Sequence, residues 1–111
     1  MRHTFVFIAA VLISTAAVAQ QPMSSDEIKS LINGKQFTVG SDGFATYKAD
    51  GSYEYTVSSD LRTFRGKWSV QGDRVCVQFD NGTSRCDQYL KDGTKIVLKN
   101  SQGRTFTVTA K

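Results

Sequence analysis

At 111 residues the chain is long enough for one domain with a modest core and too short for two. Its formal charge of +4 is carried by singly spaced Lys and Arg residues, with no basic block, which argues for a solubilising surface and against nucleic acid as a partner. The one histidine, His3, stands so near the start that the rest of the chain has none to offer a Ser–His or Cys–His nucleophile or a metal.

Arg2 and His3 precede an apolar run, Phe5 to Ile13, followed by small residues ending Ala17-Val18-Ala19, the layout of a secretory signal peptide. Cleavage is expected after Ala19. That assigns 1–19 to the signal and 20–111 to a single periplasmic or secreted domain, with no stable membrane span after cleavage, since the apolar run is too short to cross a bilayer permanently. Ser24-Ser25-Asp26-Glu27 then opens the one helical signature. Ser24 can cap, Glu27 can return the bond, Met23 can staple onto Ile28, and Asn33-Gly34 closes the helix. Ile28, Leu31 and Ile32 form one apolar stripe, and a helix so short must lie against something.

From Lys35 onward, alternating runs at 35–40, 44–49, 52–57, 62–71, 74–79, 83–91, 94–99 and 104–110 are separated by turn signals such as Asp50-Gly51, Gly72-Asp73 and Asp80-Asn81-Gly82. Turn signals about 8–12 residues apart predict an all-β protein, a small up-and-down antiparallel barrel of about eight strands with one short N-terminal helix. The expected inward residues are Phe37, Val39, Phe44, Tyr53, Tyr55, Val57, Phe64, Trp68, Val70, Val75, Val77, Phe79, Leu90, Ile96, Leu98, Phe106 and Val108. Gly66, inside a strand, marks a bulge or a close backbone approach.

Cys76 and Cys86 lie symmetrically about Asn81, so a short loop centred there sets them opposite each other on one face, and a cross-strand disulfide is expected. That register puts Arg85, Asp87 and Tyr89 on the face of Val75, Val77 and Phe79. The preferred reading is that a bulge near Asp87 turns Arg85 and Asp87 outward and brings Gln88 and Leu90 inward. The competing reading keeps the register, and both charges then pair or line a ligand site inside the barrel.

Acidic residues otherwise fall mainly in turns, where Asp serves the backbone, and no spacing suits calcium or zinc. No catalytic residue, metal ligand or cofactor is expected, and the chain reads as a non-enzyme. Asn81-Gly82-Thr83 is formally a glycosylation acceptor and reads more simply as a hairpin turn. Tyr47, Tyr53, Tyr55 and Tyr89 with Trp68 are core residues or an aromatic wall.

The helix with Asn33-Gly34-Lys35, the stretch Tyr47 to Gly51, Gly66-Lys67-Trp68, and the Cys76 and Cys86 pair resemble a group of small secreted or periplasmic proteins of Gram-negative bacteria of unknown function. The most specific parts are the G-x-W strand and the Cys pair on neighbouring strands. The resemblance implies an exported, disulfide-stapled barrel and no particular site residues. The chain is more distantly similar to lipocalin-like and avidin-like barrels and to periplasmic inhibitors of secreted metalloproteases. Two functions are therefore expected. One is an exported binding module that holds a small apolar or anionic ligand against Tyr53, Tyr55, Trp68, Arg85 and Asp87. The alternative is a protein-interaction module, such as a protease inhibitor or envelope factor, that meets a protein partner through its N-terminal segment.

Overall fold

The computed structural model describes residues 20–111, so the expected signal peptide and its expected cleavage point lie outside the described residues. A two-residue strand β1 (Gln21–Pro22) leads into helix α1 (Ser25–Ile32). Eight further strands follow: β2 (Lys35–Val39), β3 (Gly43–Tyr47), β4 (Ser52–Val57), β5 (Thr63–Gln71), β6 (Arg74–Phe79), β7 (Ser84–Asp92), β8 (Lys95–Lys99) and β9 (Thr105–Ala110). From β2 to β9 each strand pairs antiparallel with the next, and β9 returns to β2 through Phe37 opposite Ala110 and Val39 opposite Val108. The result is a closed up-and-down barrel, which leaves no long open edge. Short β1 pairs with the far end of β7, at Lys91 and Leu90, beyond the point where β6 begins.

The inner face follows from the period of two. Phe37, Val39, Ala45, Tyr47, Tyr53, Val75, Val77, Tyr89, Leu98 and Val108 are buried together, with Tyr55, Trp68, Val70, Phe79, Ile96 and Phe106 packed against them. Tyr47 stands at the centre, with ring centroids 6.2 Å from Phe37, 5.2 Å from Tyr53 and 6.0 Å from Trp68. Two glycines on this face let neighbouring strands close up. A Cβ at Gly66 would lie 2.2 Å from the Gln78 carbonyl oxygen, and one at Gly43 would lie 2.3 Å from that of Thr56. The close approach anticipated at Gly66 is thus present, in a strand paired continuously with β6.

Phe44 does not face inward as expected. The strand starts at Gly43, and Phe44 pairs with Thr38 and Thr56 on the outer face, where the Lys111 ammonium sits 3.9 Å from its ring centroid. The small residues Gly43 and Ala45 occupy the inner positions instead, because the Tyr55 ring crowds the wall there.

Helix α1 starts as its residues predict. Ser24 Oγ accepts from the Glu27 amide at 3.2 Å, and Glu27 Oε1 accepts from the Ser24 amide at 3.1 Å, completing the capping box. Ile28, Ile32 and the stapling Met23 are buried in the barrel core. Ser25 Oγ donates to the Gly72 carbonyl at 2.7 Å, and Glu27 pairs with Lys91. These partners lie at the barrel end that carries the β3–β4, β5–β6 and β7–β8 turns, so the helix plugs that end. The opposite end, ringed by the β2–β3, β4–β5, β6–β7 and β8–β9 connections, has no such cover among the described residues.

Candidate functional site

Strand β7 organises the interior. Its pairing with β6 sets Cys76 opposite Cys86, Val75 opposite Asp87 and Val77 opposite Arg85, with no inserted residue. The two cysteines are bonded on the outer face, as expected. The bulge anticipated near Asp87 is absent, so Arg85, Asp87 and Tyr89 point into the barrel. Gln88 and Leu90 point outward, where Gln88 Nε2 donates to Asp73 Oδ2 at 2.6 Å and Leu90 is buried opposite Val97 and Pro22. The reason is electrostatic: residues two apart on a strand share a face, and these two satisfy each other. Arg85 Nε donates to Asp87 Oδ2 and Nη2 to Oδ1, both at 2.9 Å, in a fork that removes the cost of an unpaired buried charge.

Asp87 is 8% exposed, whereas the Arg85 side chain is 43% exposed and reaches toward the uncovered end. Burial works against the guanidinium charge, but its bonds to Asp87 outweigh that cost and hold the Arg85 pKa above its ordinary value. Arg85 stays charged throughout the accessible pH range.

Four tyrosines surround this pair. Tyr47 and Tyr89 share a hydrogen bond of 2.5 Å between their hydroxyls, at the bottom of the barrel. Tyr55 donates to the Asp42 carboxylate. Tyr53 is 6% exposed, and its hydroxyl has no hydrogen-bond partner among the described residues. Burial raises the pKa of all four, and the Asp42 carboxylate raises that of Tyr55 further. They are neutral phenols at physiological pH and keep their protons available for donation.

All of these groups but Tyr89 border a cavity of about 180 Å³ beneath the uncovered end. Asp42, Tyr47, Tyr53, Tyr55, Arg85, Asp87, Asn100 and Arg104 supply its polar lining, and Val39, Ala45, Leu98 and Phe106 its apolar wall. The Arg104 guanidinium lies 5.4 Å from the Phe106 ring centroid. Of the five residues expected to hold a ligand, Tyr53, Tyr55, Arg85 and Asp87 are brought together here. Trp68 is not. It faces inward, but its indole Nε1 donates to the Lys48 carbonyl at 2.9 Å, toward the helix-plugged end. The strand's tilt across the barrel carries it past the cavity, with Tyr47 between.

Asp42, Asn100 and Arg104 join the site from turns, where sequence reasoning assigned Asp and Asn to the backbone. Asn100 does serve the backbone, accepting from the Gln102 and Arg104 amides at 3.0 and 2.9 Å, and it borders the cavity as well. The signal that could have found these residues is position: in an up-and-down barrel, alternate turns ring the same mouth.

Among the described residues there is no cluster of three or more side chains suited to a metal ion, and no helix is long and apolar enough to cross a membrane. The barrel and bonded cysteine pair that the family resemblance implies are present. Compared with known proteins, the chain matches no family, no curated protein and no solved structure.

Proposed function

We propose that the protein is an exported, non-catalytic binding module that takes a small molecule into the barrel through the end opposite the helix. The observation that carries this reading is the Tyr53 hydroxyl, buried on the cavity wall without a partner among the described residues. A buried hydroxyl left unbonded costs about 1–3 kcal/mol, which a ligand atom at that point would recover. The Arg85–Asp87 fork supports the same reading, because it fixes a charged group at the cavity rather than in solvent. The signal-like layout of residues 1–19 and the disulfide support export into an oxidising compartment.

The test is a small-molecule library screened by amide chemical shifts of the folded protein. At least one compound should move the signals of Tyr53, Tyr55, Asp87 and Leu98 together and saturate. A screen that moves none of them, or that moves only residues of β1 and α1, overturns the reading and favours a partner met through the N-terminal segment.

A further inference from the structure

Hydrogen-bonding capacity around the cavity is lopsided. Its carboxylates are largely engaged: Asp87 accepts from Arg85 with both oxygens, and Asp42 accepts from Tyr55 through Oδ2, with Oδ1 unpartnered among the described residues. Asn100 uses Oδ1 on two backbone amides, which orients its side chain so that the donor Nδ2 is the uncommitted end. Arg85 engages Asp87 through Nε and Nη2, leaving both protons of Nη1. Arg104 forms no ion pair among the described residues, and its guanidinium stacks on Phe106 at the mouth. With the Tyr53 hydroxyl, four of the five unsatisfied side-chain groups we identify on the lining are donors, two of them cationic, and the fifth is the Asp42 Oδ1.

Resting on the small-molecule reading above, we infer that the ligand is a small organic carboxylate. Its oxygens accept from the Tyr53 hydroxyl and the free face of the Arg85 guanidinium, and its short apolar body lies against Val39, Leu98 and Phe106. A planar guanidinium suits a planar carboxylate. A cation would meet Arg85 and Arg104 as like charges, with only Asp42, itself bonded to Tyr55, to set against them, and a neutral amide would supply one acceptor oxygen where a carboxylate supplies two. An inorganic anion would leave the apolar wall without a partner. The volume of about 180 Å³ sets the size, since pockets for drug-sized ligands run to about 300–1,000 Å³.

Four probes at fixed ionic strength test this: butyrate, butyramide, butylammonium and inorganic phosphate, titrated while the signals of Tyr53, Arg85 and Leu98 are followed. Butyrate is expected to saturate these shifts and to bind about tenfold or more tightly than butyramide, as for hydrogen bonds to a charged partner. Tyr53→Phe should weaken butyrate about tenfold without lowering the melting temperature, because it removes a hydroxyl that no group among the described residues bonds. Arg104→Gln, at an exposed position, should weaken it several-fold.

Butyramide or butylammonium binding as tightly as butyrate overturns the anionic class while cavity binding stands. Phosphate binding as tightly overturns the requirement for an apolar body. If butyrate moves none of these signals while the library screen returns other cavity ligands, the carboxylate inference alone fails. Silence in both experiments removes the small-molecule reading as well.

Discussion

Arg85 and Asp87 stand two residues apart on one strand, and that spacing lets a charged pair sit inside a barrel of this size. Neither would be stable there alone, because the attraction between them offsets desolvation only while both are present. Arg85→Ala should therefore destabilise the fold by about 2–3 kcal/mol, below the roughly 3–5 kcal/mol of a fully buried pair because Arg85 is 43% exposed. Replacing both residues with leucine should recover most of that loss, and denaturant unfolding of the two variants measures the difference. A loss below about 0.5 kcal/mol for Arg85→Ala would mean that the pair behaves as a surface pair.

The tyrosines give a second prediction at this scale. Burial raises all four above the ordinary phenol value of 10.0, so the folded state holds these protons more tightly than the unfolded chain. Their stabilisation is complete below that value and is lost as pH rises through the folded-state pKa values. Phenolate absorbance should stay low past pH 10 and then rise together with loss of tertiary signal. Tyrosine ionisation well before unfolding would contradict the burial of their hydroxyls.

Among elements, the hairpin of β6 and β7 carries the most. Its outer face bears the Cys76–Cys86 bond and its inner face the Arg85–Asp87 fork. The bond closes a short loop, worth about 2–3 kcal/mol by chain entropy. Cys76→Ser should lower stability by that amount and leave ligand affinity unchanged, since the cysteines lie on the face away from the cavity. Ligand titration beside thermal unfolding separates the two effects, and a loss of affinity in the folded variant would show that the staple also shapes the site.

The strands were legible because Asp, Asn and Gly punctuate them, and the hairpin register was legible because two cysteines pinned it. The interior of β7 was not read correctly: counting the cost of each buried charge separately favours a bulge, whereas counting them as a pair removes the need for one. Phe44 misled for a related reason, since Gly43 and Ala45 give no hydrophobic signal on the face they occupy. Strand β1 consists of Gln21 and Pro22 and follows from no local pattern; only its docking on β7 makes it a strand. Turn residues around the mouth were legible as turns and not as lining, because that role depends on which loops share an end.

At the scale of the whole molecule the two barrel ends differ: one is plugged by Met23, Ile28 and Ile32, and the other has no such cover among the described residues. The plug also changes how the N-terminal segment can be tested. Deleting Gln20 to Ser30 would remove core side chains with it, so a partner reached through that segment must be probed by substitutions at its exposed residues. The cavity lies on the far side of the Tyr47–Tyr89 bond from the plug, and such substitutions should leave it intact.

The seam between β2 and β9 has a kinetic consequence. Every other pairing in the barrel joins neighbours along the chain, but this one brings Phe37 to Ala110 and Val39 to Val108. Its loop-closure entropy is the largest among the barrel pairings, and local hairpins can form before it contributes anything. Until it closes, the hydrogen-bonding edges of β2 and β9 stand open to other chains, so the interval before closure is when aggregation competes with folding. Val39→Ala and Val108→Ala should accordingly speed unfolding in stopped-flow experiments while the refolding rate stays near that of the parent protein. Refolding slowed in proportion to the lost stability would instead place the seam in the folding nucleus.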